Sequence, residues 1–475
     1  MKNTNLIYGV KDKPGLWKTL VFAFQQVLAI LAATIVVPVI INGNTGSDMS
    51  QSAALVGAGL GTLVYLLFTK FKSPVFLGSS FAFIGSMCAA FGGAGAYMSL
   101  GYLGLILGAV FAGLVYVIIA LVVKFAGVAW IDKIMPASVI GPTVAVIGLS
   151  LAGNAVGDML KGTVYDTVNS VYVMNTTGVI ALLCALVTLA TIIICSVYGK
   201  KMLKMIPFII GILAGYLVAT LFTIIGEVAD KPELIIVNFR LFKDMAWLPE
   251  FTLVEAFKGI GDVTDFKWGA FIATIIVAYV PVAFVVFAEH LADHKNISSI
   301  IGEDLTKDPG LHRTLLGDGV GSMVGAFFGG CPNTTYGESV GCVAISRNAS
   351  VVTIFTAAII CIVSAFVAPF VTFLATIPSC VMGGVCMALY GFIAVSGLKM
   401  IQKVDLNENA NLFTVAVVLI TGIGGMAIKI KAVTLTAVAC ALILGICVNL
   451  LTSKAAKKTE TPAENVATNE EETNE

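Results

Sequence analysis

Charged residues are scarce in this sequence: Asp, Glu, Lys and Arg make up 12% of its 475 residues, and the two signs cancel to a net charge of zero. A chain without a basic excess has no electrostatic reason to bind nucleic acid. Cys-x-x-Cys pairs and the phosphate-binding pattern Gly-x-x-x-x-Gly-Lys-Ser/Thr are also absent. The sequence therefore indicates neither a paired-cysteine site nor an ATP-driven domain. Its ten cysteines lie in apolar segments, where Cys packs as a small hydrophobic residue.

Apolar residues dominate instead, at 58% of the chain, with a mean hydropathy of +0.97. A soluble protein of this length could not keep that much apolar surface away from water. Charge-free runs recur at the length of a membrane-spanning helix. The first begins near Trp17 and lacks a small-residue cleavage pattern, so we predict a retained helix rather than a signal peptide. The composition predicts an integral membrane protein that crosses the bilayer many times.

We predict fourteen apolar segments. They fall near 17–41, 53–69, 75–91, 102–123, 137–155, 177–198, 206–226, 269–294, 314–329, 331–346, 350–377, 380–398, 411–428 and 432–451. Most Lys and Arg residues lie in alternate loops. By the positive-inside rule, we predict a protein of the cell membrane with both termini in the cytoplasm. The leader 1–16 is predicted to be cytoplasmic and 227–268 to be an external loop. The acidic, polar tail 452–475 is predicted to be disordered and cytoplasmic.

The sequence contains an internal echo. "MPASVIGP" (135–142) and "IPSCVMGG" (377–384) share the pattern Pro-x-x-Val-x-Gly, and "SPVFLGSSF" (73–81) pairs in the same way with "CPNTTYGES" (331–339). Both pairs lie about half a chain apart and in the same order, which predicts two homologous halves of seven segments. An odd number of segments gives the halves opposite orientations, as in transporters with inverted repeats.

The third and tenth segments, 75–91 and 331–346, are short, rich in Gly and Ser, and adjoin a proline. A broken segment exposes backbone polar groups, which survive at membrane depth only where protein or a polar cavity covers them. Two such segments would aim two donor-rich helix N-termini at one cavity. Gly78, Gly337 and Gly341 would let the backbone approach a ligand closely.

Four acidic residues lie within the apolar segments: Glu289, Asp293, Asp318 and Glu338. A carboxylate in lipid costs roughly 2.5–3.5 kcal/mol, so these groups are expected to face a cavity and to have a function. Glu289 and Asp293 are four residues apart and share a helix face. Burial favours the protonated form of a carboxyl group, which would allow it to load and release a proton. Asp318 is interpreted either as a helix–helix hydrogen-bond partner or as a coupling residue.

These groups favour a planar ligand that carries both N–H and C=O groups. Ionised carboxylates only accept hydrogen bonds, whereas N–H groups at a helix start only donate them. Together they can read an imide edge, which occurs in pyrimidines and in oxidised purines. Without an ATP-driven domain, accumulation would draw on an ion gradient, and one proton moved through about 100 mV supplies roughly 2.3 kcal/mol.

Two other classes of function remain open. His290 and His294 are four apart beside Glu289, a spacing that could hold zinc in an intramembrane metalloenzyme. The order is Glu-His-x-x-x-His rather than His-Glu-x-x-His, so we interpret His290 as a helix-packing residue and His294 as facing the membrane interface. His312 is predicted to lie in a loop. An anion exchanger or channel is disfavoured, because the candidate site is acidic.

Two stretches carry a resemblance to a known family. "AEHLADHKNISSIIGEDLTKDPGLHRTLLGDG" and "FFGGCPNTTYGESVGCVAISR", with "LGSSFAFI" and "KVDLNENANL" in order, resemble the nucleobase–cation symporter-2 family, most closely its bacterial uracil permease branch. The resemblance implies an all-α membrane protein with 14 transmembrane segments in a 7+7 inverted repeat, with short strands in segments 3 and 10. It implies a core domain of 17–124 and 269–377, a gate domain of 125–226 and 378–451, and a homodimer with elevator-like motion.

The implied activity is proton-coupled uptake of uracil, without catalysis and with no cofactor beyond the co-transported proton. A xanthine or uric acid permease of the same family is the alternative. By resemblance, Glu289 hydrogen-bonds the pyrimidine ring and Glu338 contacts substrate and couples to protons. Gly337, Tyr336, Phe81 and Ala33 match positions around the ring. Asp293 stands where some members have His, and His294 follows it, so the proton relay is assigned to Asp293 or His294.

Overall fold

The computed structural model describes residues 6–459 except 128, 168, 201, 244, 259 and 431–432. Helices dominate the described residues. The first ten are α1 (Leu16–Thr45), α2 (Gln51–Phe68), α3 (Ile84–Ala94), α4 (Met98–Ala126), α5 (Ala129–Ile134), α6 (Ala137–Ser150), α7 (Ala152–Met159), α8 (Thr176–Tyr198), α9 (Met202–Met205) and α10 (Pro207–Val228). The others are α11 (Thr252–Phe257), α12 (Trp268–Ile301), α13 (Leu311–Gly329), α14 (Gly337–Ser346), α15 (Val351–Ser364), α16 (Ala368–Thr376), α17 (Ser379–Ile401), α18 (Asn409–Ile423) and α19 (Ala437–Thr459).

Among the described residues, short strands pair in three antiparallel ribbons. The strands are β1 (Leu77–Ser79), β2 (Val164–Asp166), β3 (Val171–Val173), β4 (Asn333–Thr335), β5 (Ile428–Ile430) and β6 (Val433–Leu435), paired β1–β4, β2–β3 and β5–β6. Tight 3-10 turns lie at Phe81–Phe83, Pro232–Leu234, Phe239–Lys243 and Ile260–Asp262, and a wider π-helical turn lies at Thr306–Gly310. The β2–β3 and β5–β6 ribbons are local hairpins, whereas β1 and β4 come from opposite halves of the chain.

Eight helices in the described part of the chain are long and apolar enough to cross a membrane. The number is nine if α15 and α16, which meet at a bend of 81°, form one broken span. The outward faces of these helices are apolar: on α10, Leu217, Leu221 and Ile224 are all exposed at helical spacing. Such a surface is stable against lipid and not against water. The prediction of a multi-pass membrane protein is confirmed at this level.

The long helices pack in two groups. In the first, α2 packs against α13 and α15, and α4 packs against α12 and α13. In the second, α17 packs against α6 and α8, α10 against α8, and α18 against α6 and α19. Small residues set the closest approaches, because a Cβ built on Gly397 of α17 would overlap the backbone of Ala145 on α6. Each group encloses buried apolar side chains, and the boundary between the groups carries the site described below.

The two short Gly- and Ser-rich segments meet in the β1–β4 pair. Leu77 faces Thr335 and Ser79 faces Asn333, and every residue of both strands is buried. Beyond β1 the chain enters the turn Phe81–Phe83 and α3, and beyond β4 it enters α14. The broken form of both segments and the short strand in each are therefore confirmed. Two helix starts are brought side by side inside the first group of helices.

The close contact between β1 and Tyr336 requires glycine at position 78. A Cβ at position 78 would run into the ring of Tyr336, which lies across β1 and donates a hydrogen bond from its hydroxyl to the Ser79 carbonyl at 2.7 Å. We expect Gly78→Ala to displace this ring and to cost about 1–3 kcal/mol of stability, as overpacking does. Thermal unfolding of the purified protein measures the effect. The matched control is Gly85→Ala, where a Cβ meets nothing within 4 Å; equal unfolding midpoints for the two variants would contradict the expectation.

Three predictions about local structure need correction or comment. The last helix continues through Thr459, because its apolar repeat is followed by good helix formers, so 452–459 are helical rather than disordered. Residues 460–475 of the predicted tail and 1–5 of the leader lie outside the described residues. His312 belongs to the first turn of α13 and not to a loop. The predicted external loop 227–268 contains α11 and three tight helical turns.

Candidate functional site

A cavity of about 400 Å³ opens where β4 meets α14, between the two groups of helices. One wall comes from the first group and carries the polar residues. This wall is lined by Phe81, Ala82, Glu289, Ala292, Asp293, Thr334, Thr335, Tyr336, Gly337 and Glu338. The facing wall comes from α6, α10 and α17 and is apolar apart from one hydroxyl: Val144, Ile147, Phe208, Leu389, Phe392, Ile393, Ser396 and Met400. The volume is within the range of small-molecule sites.

Three carboxyl groups share the polar wall. Glu289 and Asp293 lie one turn apart on α12, and Glu338 lies in the first turn of α14. All three residues are half-buried. The Thr335 hydroxyl, at the end of β4, donates a hydrogen bond to the Asp293 carboxyl group at 2.9 Å. The structure therefore brings two carboxyl groups of α12 and one of α14 to the same cavity.

Backbone donors face the same space. α14 begins after Tyr336, whose side chain caps none of its N–H groups, and Gly337 is exposed at the cavity. The first N–H groups of a helix have no partner within the helix, and its N-terminal end carries a partial positive charge. The wall thus combines acceptors on the carboxyl groups with donors on the start of α14.

Buried hydrogen bonds hold the start of α14 in position. Ser339 accepts a hydrogen bond from the backbone N–H of Phe76 at 3.0 Å and a second one from the Gln26 side chain of α1. The backbone N–H of Tyr336 donates to the Phe76 carbonyl at 3.3 Å. Because β1, α1 and α14 are tied together in this way, the polar wall is preorganised before any ligand arrives.

The apolar wall was not predicted as part of the site. Val144 and Ile147 belong to α6, and Leu389 and Phe392 to α17, so they lie within the two segments that begin with the repeated Pro-x-x-Val-x-Gly pattern. The repeated motif was the only sequence feature that linked these residues to the site. It indicated that the two segments correspond, but not that α6 and α17 pack together opposite the broken segments. The Phe81 ring makes an edge contact with Tyr390 of α17, at a centroid distance of 6.1 Å.

A buried polar network lies behind α12, where the helix packs against α2 and α13, on a face that does not line the cavity. His290 bonds through Nδ1 to the Asp318 carboxyl group at 2.7 Å and through Nε2 to the Thr314 hydroxyl at 3.0 Å. His294 bonds through Nδ1 to the His290 carbonyl at 2.8 Å and through Nε2 to the Tyr65 hydroxyl at 2.7 Å. All four ring nitrogens have a protein partner. The network fixes the rotation of α12, and with it the direction of Glu289.

Asp318 is the anchor of this network, and its loss leaves His290 Nδ1 buried without its partner. We expect Asp318→Ala to cost about 1–3 kcal/mol of stability and to lower the midpoint of thermal unfolding, whereas Asp318→Asn retains an acceptor and costs less. Unfolding of the purified protein, followed by tryptophan fluorescence, measures both. Asp48→Ala, at an exposed carboxyl group, is the control. A midpoint for Asp318→Ala equal to that of the control would contradict the anchoring role.

Comparison with known proteins places this geometry in a family. The sequence profile of the Permease family matches residues 17–431. This chain belongs to the Permease family. The resemblance to the nucleobase–cation symporter-2 family is thereby confirmed. The permease is 38% identical over 462 residues to the uracil permease of Bacillus subtilis (strain 168), covering 96% of each chain. It is 37% identical over 450 residues to that of Bacillus caldolyticus, covering 94% of each.

The fold of this permease is shared more widely than its sequence. The solved transmembrane domain of a cyanobacterium bicarbonate transporter, BicA, superposes with a TM-score of 0.58 at 16% identity, over 92% of this chain and 98% of that one. At that identity the similarity concerns the architecture alone, and the residues of the site decide the ligand.

Most, but not all, of the predicted site residues line the cavity of the permease. Glu289, Glu338, Gly337, Tyr336, Phe81 and Asp293 all line the cavity. Ala33 is buried in α1 and is not among the residues that line it. His294 lies in the network behind α12 and is fully buried, so the prediction that it faces the membrane interface is wrong. Ala82, Ala292, Thr334 and Thr335 line the cavity without having been predicted.

The metalloenzyme alternative is wrong for this permease. Its two candidate ligands, His290 and His294, use every ring nitrogen in hydrogen bonds to protein, and their rings stack at a centroid distance of 4.0 Å. Within residues 6–459, apart from the seven omitted positions, no group of three or more His, Cys, Asp and Glu side chains is arranged to hold a metal ion. The family and its relatives are permeases and not enzymes.

Proposed function

We propose that this permease takes up uracil together with protons across the cytoplasmic membrane. The observation that carries the proposal is the polar wall itself: Glu289, Glu338 and the uncapped start of α14 line one cavity. The same chain is 37–38% identical, over nearly its whole length, to uracil permeases of two Bacillus species.

The chemistry of the wall complements a pyrimidinedione. Uracil presents ring N–H groups next to two carbonyl oxygens. The Glu289 carboxylate accepts from the ring N–H groups, and the backbone N–H groups at Gly337 and Glu338 donate to the carbonyls. Phe81, at the edge of the cavity, offers a flat apolar surface to the ring face. Tyr336 closes the wall below, held by its bond to Ser79.

Proton coupling follows from the number of acids in the wall. Three carboxyl groups in one cavity repel one another when ionised, which favours retention of a proton on at least one of them. Glu338 is our candidate for the coupled group, since it also touches the substrate space. Between the two relay candidates, Asp293 lines the cavity and accepts a hydrogen bond from Thr335, whereas His294 does not line it and is bonded to Tyr65. We assign the relay to Asp293.

Alternating access would use a movement of a core domain against a gate domain. The two packing groups support a core of 17–124 and 269–377 and a gate of 125–226 and 378–451. We propose fourteen segments in a 7+7 inverted repeat, both termini in the cytoplasm, and a homodimer. The cavity lies where the two groups face each other, so a shift of one against the other would open it to alternate sides of the membrane.

Labelled-uracil uptake in cells lacking their own uracil permease tests the function. Unlabelled uracil, thymine, cytosine, xanthine and hypoxanthine serve as competitors, with and without a protonophore. We expect competition by uracil and loss of accumulation with the protonophore. Competition by xanthine without competition by uracil would show that the chain is a purine permease instead. Accumulation that survives the protonophore would contradict proton coupling.

A further inference from the structure

A second cavity, of about 390 Å³, lies on the opposite side of α12 from the substrate cavity. It is formed by the end of α4, the last third of α12 and the segment leading into α13. Its polar lining comprises Lys124, Lys295, Thr306, Lys307 and His312. Leu291, on the turn of α12 between Glu289 and Lys295, packs into its apolar part. Nothing in the proposed uptake of uracil uses this cavity.

The charge of this cavity is not balanced. Lys307 pairs loosely with Asp304 at 3.7 Å, outside the lining. Lys124 and Lys295 form no ion pair with any residue in the described part of the chain, and no carboxyl group is among the lining residues. Three ammonium groups from three elements therefore converge on one space. Such an arrangement costs repulsion and is stabilised by a bound anion.

The helix that starts here adds to the positive potential. α13 begins at Leu311, whose N–H donates to the Thr306 carbonyl; no side chain caps its first turn, and Gly310, Leu311 and His312 all line the cavity. The N-terminal end of a 19-residue helix favours an anion. Burial, followed by the positive charges of Arg313 and Lys124, lowers the pKa of His312. Two positive charges, those of Arg313 and Lys124, thus act on the imidazole in addition to its burial.

We propose that this cavity is a binding site for a phosphate-bearing anion, supplied either by a lipid headgroup or by a free phosphate compound. Lysine ammonium groups bind phosphate as point charges with three donors each, and a phosphate group carries enough negative charge to balance two of the three. The ligand would bridge the ends of α4, α12 and α13. The site goes beyond the uptake of uracil, and its test uses no nucleobase.

Binding to the purified full-length permease in detergent tests the site. Isothermal titration uses inorganic pyrophosphate in one arm and short-chain phosphatidylglycerol in the other, with short-chain phosphatidylcholine as the lipid control. We expect saturable binding in at least one anionic arm, a raised unfolding midpoint, and weaker binding at higher salt. Binding of phosphatidylglycerol alone identifies a headgroup site, and binding of pyrophosphate alone identifies a site for a free phosphate.

The test variant is the double substitution Lys124→Gln and Lys295→Gln. The control is Lys403→Gln, which changes an exposed lysine outside the cavity. Removing two charge-assisted contacts is expected to weaken binding by about tenfold or more, while the control stays near the wild-type affinity. The two lysines are exposed and their loss relieves repulsion, so the unliganded unfolding midpoint should not fall. Absence of saturable binding in both anionic arms, or equal affinity in the double variant and the control, would overturn the proposal.

Discussion

Glu289→Gln is expected to reduce the affinity for uracil by about 100-fold. A carboxylate offers two acceptor oxygens, whereas an amide offers one acceptor and an N–H group that would point at the ring N–H. Leaving a donor of the ligand unpaired in a partly buried site costs roughly 2–3 kcal/mol, which corresponds to that loss of affinity. Binding of labelled uracil to purified protein measures it directly and does not depend on transport.

The control for this variant is Glu303→Gln, an exposed carboxyl group shortly after the end of α12. It carries the same change of charge near the same helix, and it should bind as the wild type does. If Glu289→Gln binds uracil with unchanged affinity while remaining folded, Glu289 is not part of the substrate site. The reading of the polar wall as an acceptor of ring N–H groups would then be wrong.

Glu338→Gln is expected to separate binding from accumulation. Glu338 starts α14 and lines the cavity, so the amide still fills the wall and the backbone donors remain. The variant, however, cannot load and release a proton at this position. One proton through about 100 mV supplies roughly 2.3 kcal/mol, or on the order of 50-fold accumulation of a neutral solute, and this gain should disappear. Affinity should fall by less than in Glu289→Gln.

Reconstitution into liposomes distinguishes the two processes. Accumulation is measured under an imposed proton gradient, and exchange is measured with uracil on both sides and no gradient. Glu338→Gln should lose the first and retain the second, and Glu303→Gln should retain both. Gradient-driven accumulation at the wild-type level in Glu338→Gln would assign coupling elsewhere on the wall, with Asp293 as the next residue to substitute.

The hydrogen-bond network behind α12 holds Glu289 in position and so affects both substrate binding and transport. Glu289 is held towards the cavity because His290 and His294, on an adjoining face of the helix, are bonded to Asp318 and Tyr65. A change in these partners rotates or loosens α12 without touching the substrate. Asp318 is thus a hydrogen-bond partner between α12 and α13, which is one of the two interpretations that the sequence allowed. Its effects on transport are expected to follow its effects on stability.

The sequence by itself determined the membrane class, the two broken segments and the acidic character of the site. These follow from hydropathy, from Pro74 and Pro332 beside Gly- and Ser-rich stretches, and from carboxyl groups too costly to leave in lipid. They are local properties, so periodicity and composition report them. The family also followed from the sequence, since long matching stretches fix it.

Only the tertiary structure decided what faces the polar wall and which histidine is hidden. The apolar wall of α6, α10 and α17 depends on how helices far apart in sequence pack, and Val144 or Phe392 look like any lipid-facing residue in the sequence. His294 reads as an end-of-helix residue, yet Tyr65 of α2 covers it. Ala33 has the same character in sequence as the alanines that do line the cavity. Burial and direction are set by distant neighbours, and a single sequence does not contain their positions.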